Sequence, residues 1–124
     1  VTTLTFDTGA LIGLERNRQR MRVVFKTARV DGTRIIVPGM CIAEWWRGRT
    51  DVREKILAAV IVVHTDEKLV KATGEALARV PGATCIDALV MATAARYGGV
   101  VFTSDVSDLL RLQKIFPSVR VLGA

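Results

Sequence analysis

Five carboxylates in this chain stand where metal-ion chemistry would use them. Asp7 follows a short apolar run in LTFDTGALIGLE, and Asp105 and Asp108 follow another in VVFTSDVSDL. Glu44 lies within VPGMCIAEWWRG and Asp87 within GATCIDALVMATAA. An ionised carboxylate among apolar neighbours is costly unless a cation pairs with it. Glu44 poses that problem most sharply, with Arg47 three residues on as its simplest partner. A set of oxygen donors without His or Cys suits Mg²⁺ or Mn²⁺. Helix capping is the competing explanation. Asp7 or Thr8, Thr84 with Asp87, Asp105 with Asp108 and, less well, Ser104 with Ser107 have the side chains and spacing of helix starts, each cap contributing about 1 kcal/mol.

Other catalytic machinery is missing. His64 is the sole histidine and stands alone, so no Ser-His-Asp or Cys-His arrangement can be assembled. There is no P-loop, and Gly98-Gly99 is not a phosphate cradle. A phosphoacceptor receiver domain would need paired acids after the first strand and a Lys after the last, and neither is present. If chemistry occurs, metal-activated water must supply the nucleophile.

Charge supports that direction. The chain has 18 Lys and Arg against 12 acids, a net charge of +6, and setting five acids aside in a pocket leaves the rest more basic still. An acidic pocket on a basic body suits a metal-dependent nuclease, with the pocket for the cation and the surroundings for phosphates. Arg16, Arg18, Arg20 and Arg22 are candidates for phosphate contact. Their spacing by two spreads them around a helix, which equally describes a solvated surface.

These residues need a scaffold, and the apolar pattern provides one. Short runs predict strands at Leu4–Phe6, Arg34–Val37, Val60–Val63, Val100–Phe102 and Val119–Leu122. Helical patterns cover Ala10–Arg16, Arg18–Val30, Met40–Arg47, Val52–Ala59, Glu67–Val80, Cys85–Tyr97 and Val106–Ile115. Continuous rather than alternating apolar strands indicate a sheet covered on both faces. The alternation implies an α/β three-layer fold, a mostly parallel sheet of about five strands between helices, within one domain over residues 1–124. Ligands of such sheets bind beyond the carboxyl ends of the strands, where Asp7 and Asp105 fall. The longest apolar run, Ile56–Val63, is eight residues and too short to cross a bilayer. No secretory signal is visible in VTTLTFD, and Cys41 and Cys85 suit buried free thiols, so a cytoplasmic location is expected.

Four segments, FDTGALIGLE, IAEWWRG, CIDALVMATAARYG and VVFTSDVSDL, resemble in order and separation the PIN-domain ribonucleases, specifically the VapC toxins of type II toxin–antitoxin pairs. The resemblance runs nearly end to end and implies a Mg²⁺- or Mn²⁺-dependent endoribonuclease that hydrolyses RNA. It assigns metal-binding acids to Asp7, Glu44, Asp87 and Asp105, with Asp108 as a further acid. Thr103 corresponds to a hydroxyl that orients water and carboxylates, and Thr8 stands where Ser is more usual. The bulky pair Trp45-Trp46 reads as core or interface packing rather than a base-stacking platform. The family also implies a homodimer and a small VapB-type antitoxin, for which the helices Met40–Arg47 and Val52–Ala59 are docking surfaces. The alternative is a catalytically inactive PIN-like module that binds RNA or regulates.

Overall fold

A computed structural model describes residues 3–124 of the chain. Strand β1 (Leu4–Phe6) leads into helices α1 (Thr8–Glu15) and α2 (Gln19–Asp31), then β2 (Ile35–Pro38). Helices α3 (Gly39–Trp45) and α4 (Asp51–Ala59) precede β3 (Ile61–Val63). Helices α5 (Glu67–Arg79) and α6 (Cys85–Tyr97), β4 (Val100–Thr103), α7 (Val106–Leu112) and β5 (Arg120–Gly123) complete the order. The five strands form one sheet in the order β3-β2-β1-β4-β5, and every pairing is parallel.

That order decides where a site can lie. The chain winds outward from β1 through β2 to β3, then returns to place β4 on the other side of β1. The reversal leaves a crevice beyond the carboxyl ends of β1 and β4, the usual ligand position in such sheets. Asp7 and Asp105 emerge on its two sides.

Apolar packing fixes the frame. All four residues of β2 and of β4 are buried, as covered parallel strands require. Phe6 and Phe102 are register partners and meet edge to face, with centroids 5.9 Å apart. In α6 the run Ala88–Ala94 is buried throughout, because this helix packs in the middle of the layer. Local signals set the ends. Thr50, Asp66 and Thr84 each accept a bond from the backbone N–H three residues on, at 3.0–3.1 Å. Helix α2 stops at Gly32, whose left-handed φ of 68° suits glycine.

Several element boundaries differ from expectation. The first helix begins at Thr8 because Asp7 caps it, and the last strand is shifted one residue, ending with Gly123 paired to Thr103. The third helix ends at Trp45, where Arg47 turns back onto the carbonyls of Ala43 and Trp46 instead of pairing with Glu44. Both cysteines are free, but only Cys41 is buried; Cys85, at the first turn of α6, is exposed. No helix among the described residues is long and apolar enough to cross a membrane.

Candidate active site

Asp7 is the most enclosed of the five acids, with 6% of its surface exposed. It leaves β1 and caps α1, accepting a 2.9 Å bond from the Ala10 N–H. Burial pushes its carboxyl up to about 6, opposed by hydrogen bonds from Thr103 and Ala10 and reinforced by the charges of Asp105 and Asp87. Capping and site-building therefore coexist in one side chain.

The other acids arrive from three helices. Asp87 sits in the first turn of α6, where its backbone N–H bonds Thr84 at 3.1 Å and its carboxylate is left for the crevice. Burial also raises its proton affinity, Thr84 opposes this, and Asp105, Asp108 and Glu44 add to it. Asp105 occupies the start of α7 but makes no side-chain cap; its N–H instead bonds Thr103 Oγ1 at 2.9 Å. The capping explanation therefore holds for Asp7 and Thr84 and fails for the Asp105 side chain. Asp108 lies in the first turn of α7.

Glu44 departs from expectation. Its apolar neighbours suggested a covered helix, yet Ala43 and Glu44 lie on an exposed face of α3 while Cys41 and Trp45 point into the core. What restrains Glu44 is Thr8, whose Oγ1 donates to Oε1 at 2.6 Å. The Thr8 hydroxyl expected beside the acids thus has a definite partner.

One cavity of about 280 Å³ gathers the set. Asp7, Thr8, Glu44, Asp87, Asp105 and Asp108 line it, with Gly9, Thr84 and Ile86. No Lys or Arg lines it, and none of its five acids takes part in an ion pair among the described residues. Among those residues, no three Asp, Glu, His or Cys side chains stand closely enough to hold one ion as placed. The arginine run is not drawn into this cavity. Arg16, Arg18, Arg20 and Arg22 are exposed, and Arg20 Nε donates to the Gly123 carbonyl. His64 is likewise exposed, beyond β3. Trp45 is buried and meets half-buried Trp46 edge to face at 6.0 Å, and both pack against the core.

Two site-shaping residues escaped the motif reading. A Cβ on Gly9 would stand 2.0 Å from Ser104 Oγ, so only glycine lets α1 approach the loop that carries Asp105. The other is Glu15, whose partners Trp45 and Arg53 lie on α3 and α4, far away in sequence. Glycine at the first turn of a helix was the one local sign of the former.

The PIN-domain profile matches residues 4–114. The chain belongs to the PIN-domain family. No curated protein sequence matches it. Among solved structures, this PIN domain resembles DNA-bound VapBC from Salmonella typhimurium, with a TM-score of 0.71, 18% identity, and coverage of 99% of this chain and 98% of that one. It also resembles VapBC2 from Rickettsia felis bound to a promoter DNA fragment, with a TM-score of 0.74, 11% identity and 98% coverage of each chain. A third likeness is FitAB bound to an IR36 DNA fragment, at a TM-score of 0.67 and 16% identity over 98% of this chain and 94% of that one. At these identities the shared property is the fold.

Proposed function

We propose that this PIN domain is the VapC-type toxin of a type II toxin–antitoxin pair, an endoribonuclease that depends on Mg²⁺ or Mn²⁺ and hydrolyses RNA phosphodiester bonds. The observation that carries this reading is the cavity itself: five carboxylates and, among the described residues, no Lys or Arg line it at the switch point of a PIN sheet. Burial, reinforced by neighbouring carboxylates, raises the proton affinities of Asp7 and Asp87, so their ionised forms would gain from a cation. All donors are oxygens, which fits the hard cations.

Asp7, Glu44, Asp87 and Asp105 are the residues assigned to hold the metal, with Asp108 as a further acid lining the same cavity. A bound divalent ion would supply Lewis acidity and an acidified water for attack at phosphorus. The chain's own residues provide the positioning. The Ala10 N–H fixes the Asp7 carboxylate, Thr8 aims Glu44, and Thr103 ties the Asp105 backbone to the end of β4. Exposed arginines, including Arg16, Arg18, Arg20 and Arg22, would hold the RNA backbone by charge. The structural likeness to VapBC complexes supports a VapB-type antitoxin as partner, and the same reading takes the toxin to be a homodimer in the cytoplasm.

The test is RNA cleavage by the purified protein with Mn²⁺ against Asp87→Ala and Asp105→Ala. Loss of cleavage of at least a hundredfold in variants that melt as cooperatively as wild type is expected. Cleavage at the wild-type rate by either folded variant would overturn the assignment. A non-catalytic PIN module is favoured by one observation, that no three acids stand ready around an ion. Calorimetric titration with Mn²⁺ separates the two, since that module would bind none.

A further inference from the structure

Glu15 lies outside the acid cavity, yet both oxygens of this one carboxylate within α1 are engaged. Its Oε1 accepts from the Trp45 indole Nε1 at 2.7 Å, and its Oε2 pairs with Arg53 at 3.0 Å. The ion pair is well shielded, with 26% of the Glu15 side chain and 18% of the Arg53 side chain exposed. Trp45 is 3% exposed, and its indole N–H has no acceptor role to fall back on.

The placement of these partners relates to the cavity. Thr8 and Glu15 are the first and last residues of α1, seven positions apart, so two helical turns put them on one face about 10 Å from each other. Thr8 bonds Glu44, and Glu15 bonds the next residue, Trp45. One face of α1 thus holds two adjacent side chains of α3, one in the cavity and one in the core. Arg53 extends the attachment to α4 and, through a 3.0 Å bond to the Gly48 carbonyl, to the turn between α3 and α4. Gly48 has a φ of 105°, a left-handed value that fixes the path of this turn. Arg53 Nε is buried without a hydrogen-bond partner, so the bonds to Glu15 and Gly48 are what hold that guanidinium.

We infer that Glu15, through the indole of Trp45 and the guanidinium of Arg53, is a positioning residue that locks α3 against α1 and so sets where Glu44 meets the proposed metal. The alternative, that Glu15 only stabilises the helix layer, makes a different prediction. A purely structural role lowers stability without touching metal affinity. The inference rests on the metal-dependent nuclease reading, and calorimetry with Mn²⁺ alone keeps the two separable.

The experiment measures Mn²⁺ affinity and RNA-cleavage kinetics for the wild type, Glu15→Ala, Glu15→Gln, Trp45→Phe and the Glu15→Ala/Trp45→Phe double variant. Residues that orient metal ligands typically change affinity or activity by 10–100-fold, and the lower end, roughly tenfold, is expected for a residue acting through another side chain. Glu15→Ala and Trp45→Phe should each show that loss in Mn²⁺ affinity and in kcat, with KM for RNA unchanged. The double variant should be no worse than either, as for two members of one contact. Glu15→Gln keeps an acceptor for the indole and should recover most of the affinity. Should Glu15→Ala fail to fold, Trp45→Phe, which keeps an aromatic ring in the core and removes the indole N–H, carries the same test. Wild-type Mn²⁺ affinity in both folded single variants, or additive losses in the double variant, overturns the inference. A wild type that binds Mn²⁺ but leaves RNA intact removes the nuclease reading, and the clamp is then decided by the Mn²⁺ affinities alone. A wild type that binds no Mn²⁺ overturns both.

Discussion

Asp7→Asn should make the metal-free protein more stable at neutral pH while destroying its response to metal. Folding moves the Asp7 carboxyl from 3.8 to about 6, chiefly by burial, so the folded chain binds a proton more tightly than the unfolded one. Below pH 3.8 both states hold the proton, and the residue costs nothing. Between 3.8 and 6 the unfolded chain releases its proton first, so stability falls as pH rises. Above 6 the full cost is present, about 3 kcal/mol at 1.36 kcal/mol per tenfold change in proton affinity. Asparagine removes that charge yet keeps an oxygen for the Ala10 N–H, and it ranks with aspartate as a cap. In EDTA, Asp7→Asn should therefore melt higher at pH 8, by roughly 12 °C at most for a chain of this size, and the gain should shrink to nothing near pH 3. Added Mn²⁺ should raise the melting temperature of the wild type and not of the variant, because only a folded state that binds the ion is stabilised by it. Thermal unfolding followed by circular dichroism across pH reads all of this. A variant no more stable than wild type at pH 8, or a gain that persists unchanged at pH 3, would refute the idea that Asp7 is a strained charge awaiting a cation.

Two further outcomes follow from packing and burial. Gly9→Ala should cost about 1–3 kcal/mol and displace the Asp105 loop, since the new methyl would fall 2.0 Å from Ser104 Oγ. Ser104→Gly in the same chain should restore most of the stability, and denaturant unfolding of the single and double variants checks it. Iodoacetamide should label exposed Cys85 readily and Cys41 hardly at all. Burial pushes the Cys41 thiol up to about 12, and peptide mass mapping against time distinguishes the two.

The fold was legible because its signals are local. Strand residues such as those of Ile35–Pro38 form continuous apolar runs, and Asp7, Thr50 and Thr84 announce helix starts within three positions of what they bond. Asp7 and Asp105 were legible as candidates for a related reason: they follow strands of a parallel sheet, at the edge where its ligands bind. What could not be read locally was which face each helix turns to solvent. Seven residues of α3 contain so many apolar side chains that Glu44 seemed enclosed, but a short helix at the sheet's edge buries only one side, here Cys41 and Trp45. Cys85 misled in the same way, through apolar neighbours that point elsewhere.

The least legible feature concerns how the site is held. Thr8 to Glu44 spans 36 positions and Glu15 to Trp45 spans 30, and nothing near either end of those bonds names its partner. Both contacts come from one helix, and that helix is itself anchored at its start by Asp7. A carboxylate set with unpaired charges would otherwise drive its own helices apart, since Asp105 and Asp87 raise the cost of ionising Asp7, and Asp105, Asp108 and Glu44 that of ionising Asp87. The bonds from α1 to α3 lie on the opposite side of that balance. They resist the repulsion without neutralising it, which leaves the charge available to a cation. A site built this way needs its restraint on neighbouring residues rather than on the acids, and Glu15 with Trp45 and Arg53 is where this chain places it.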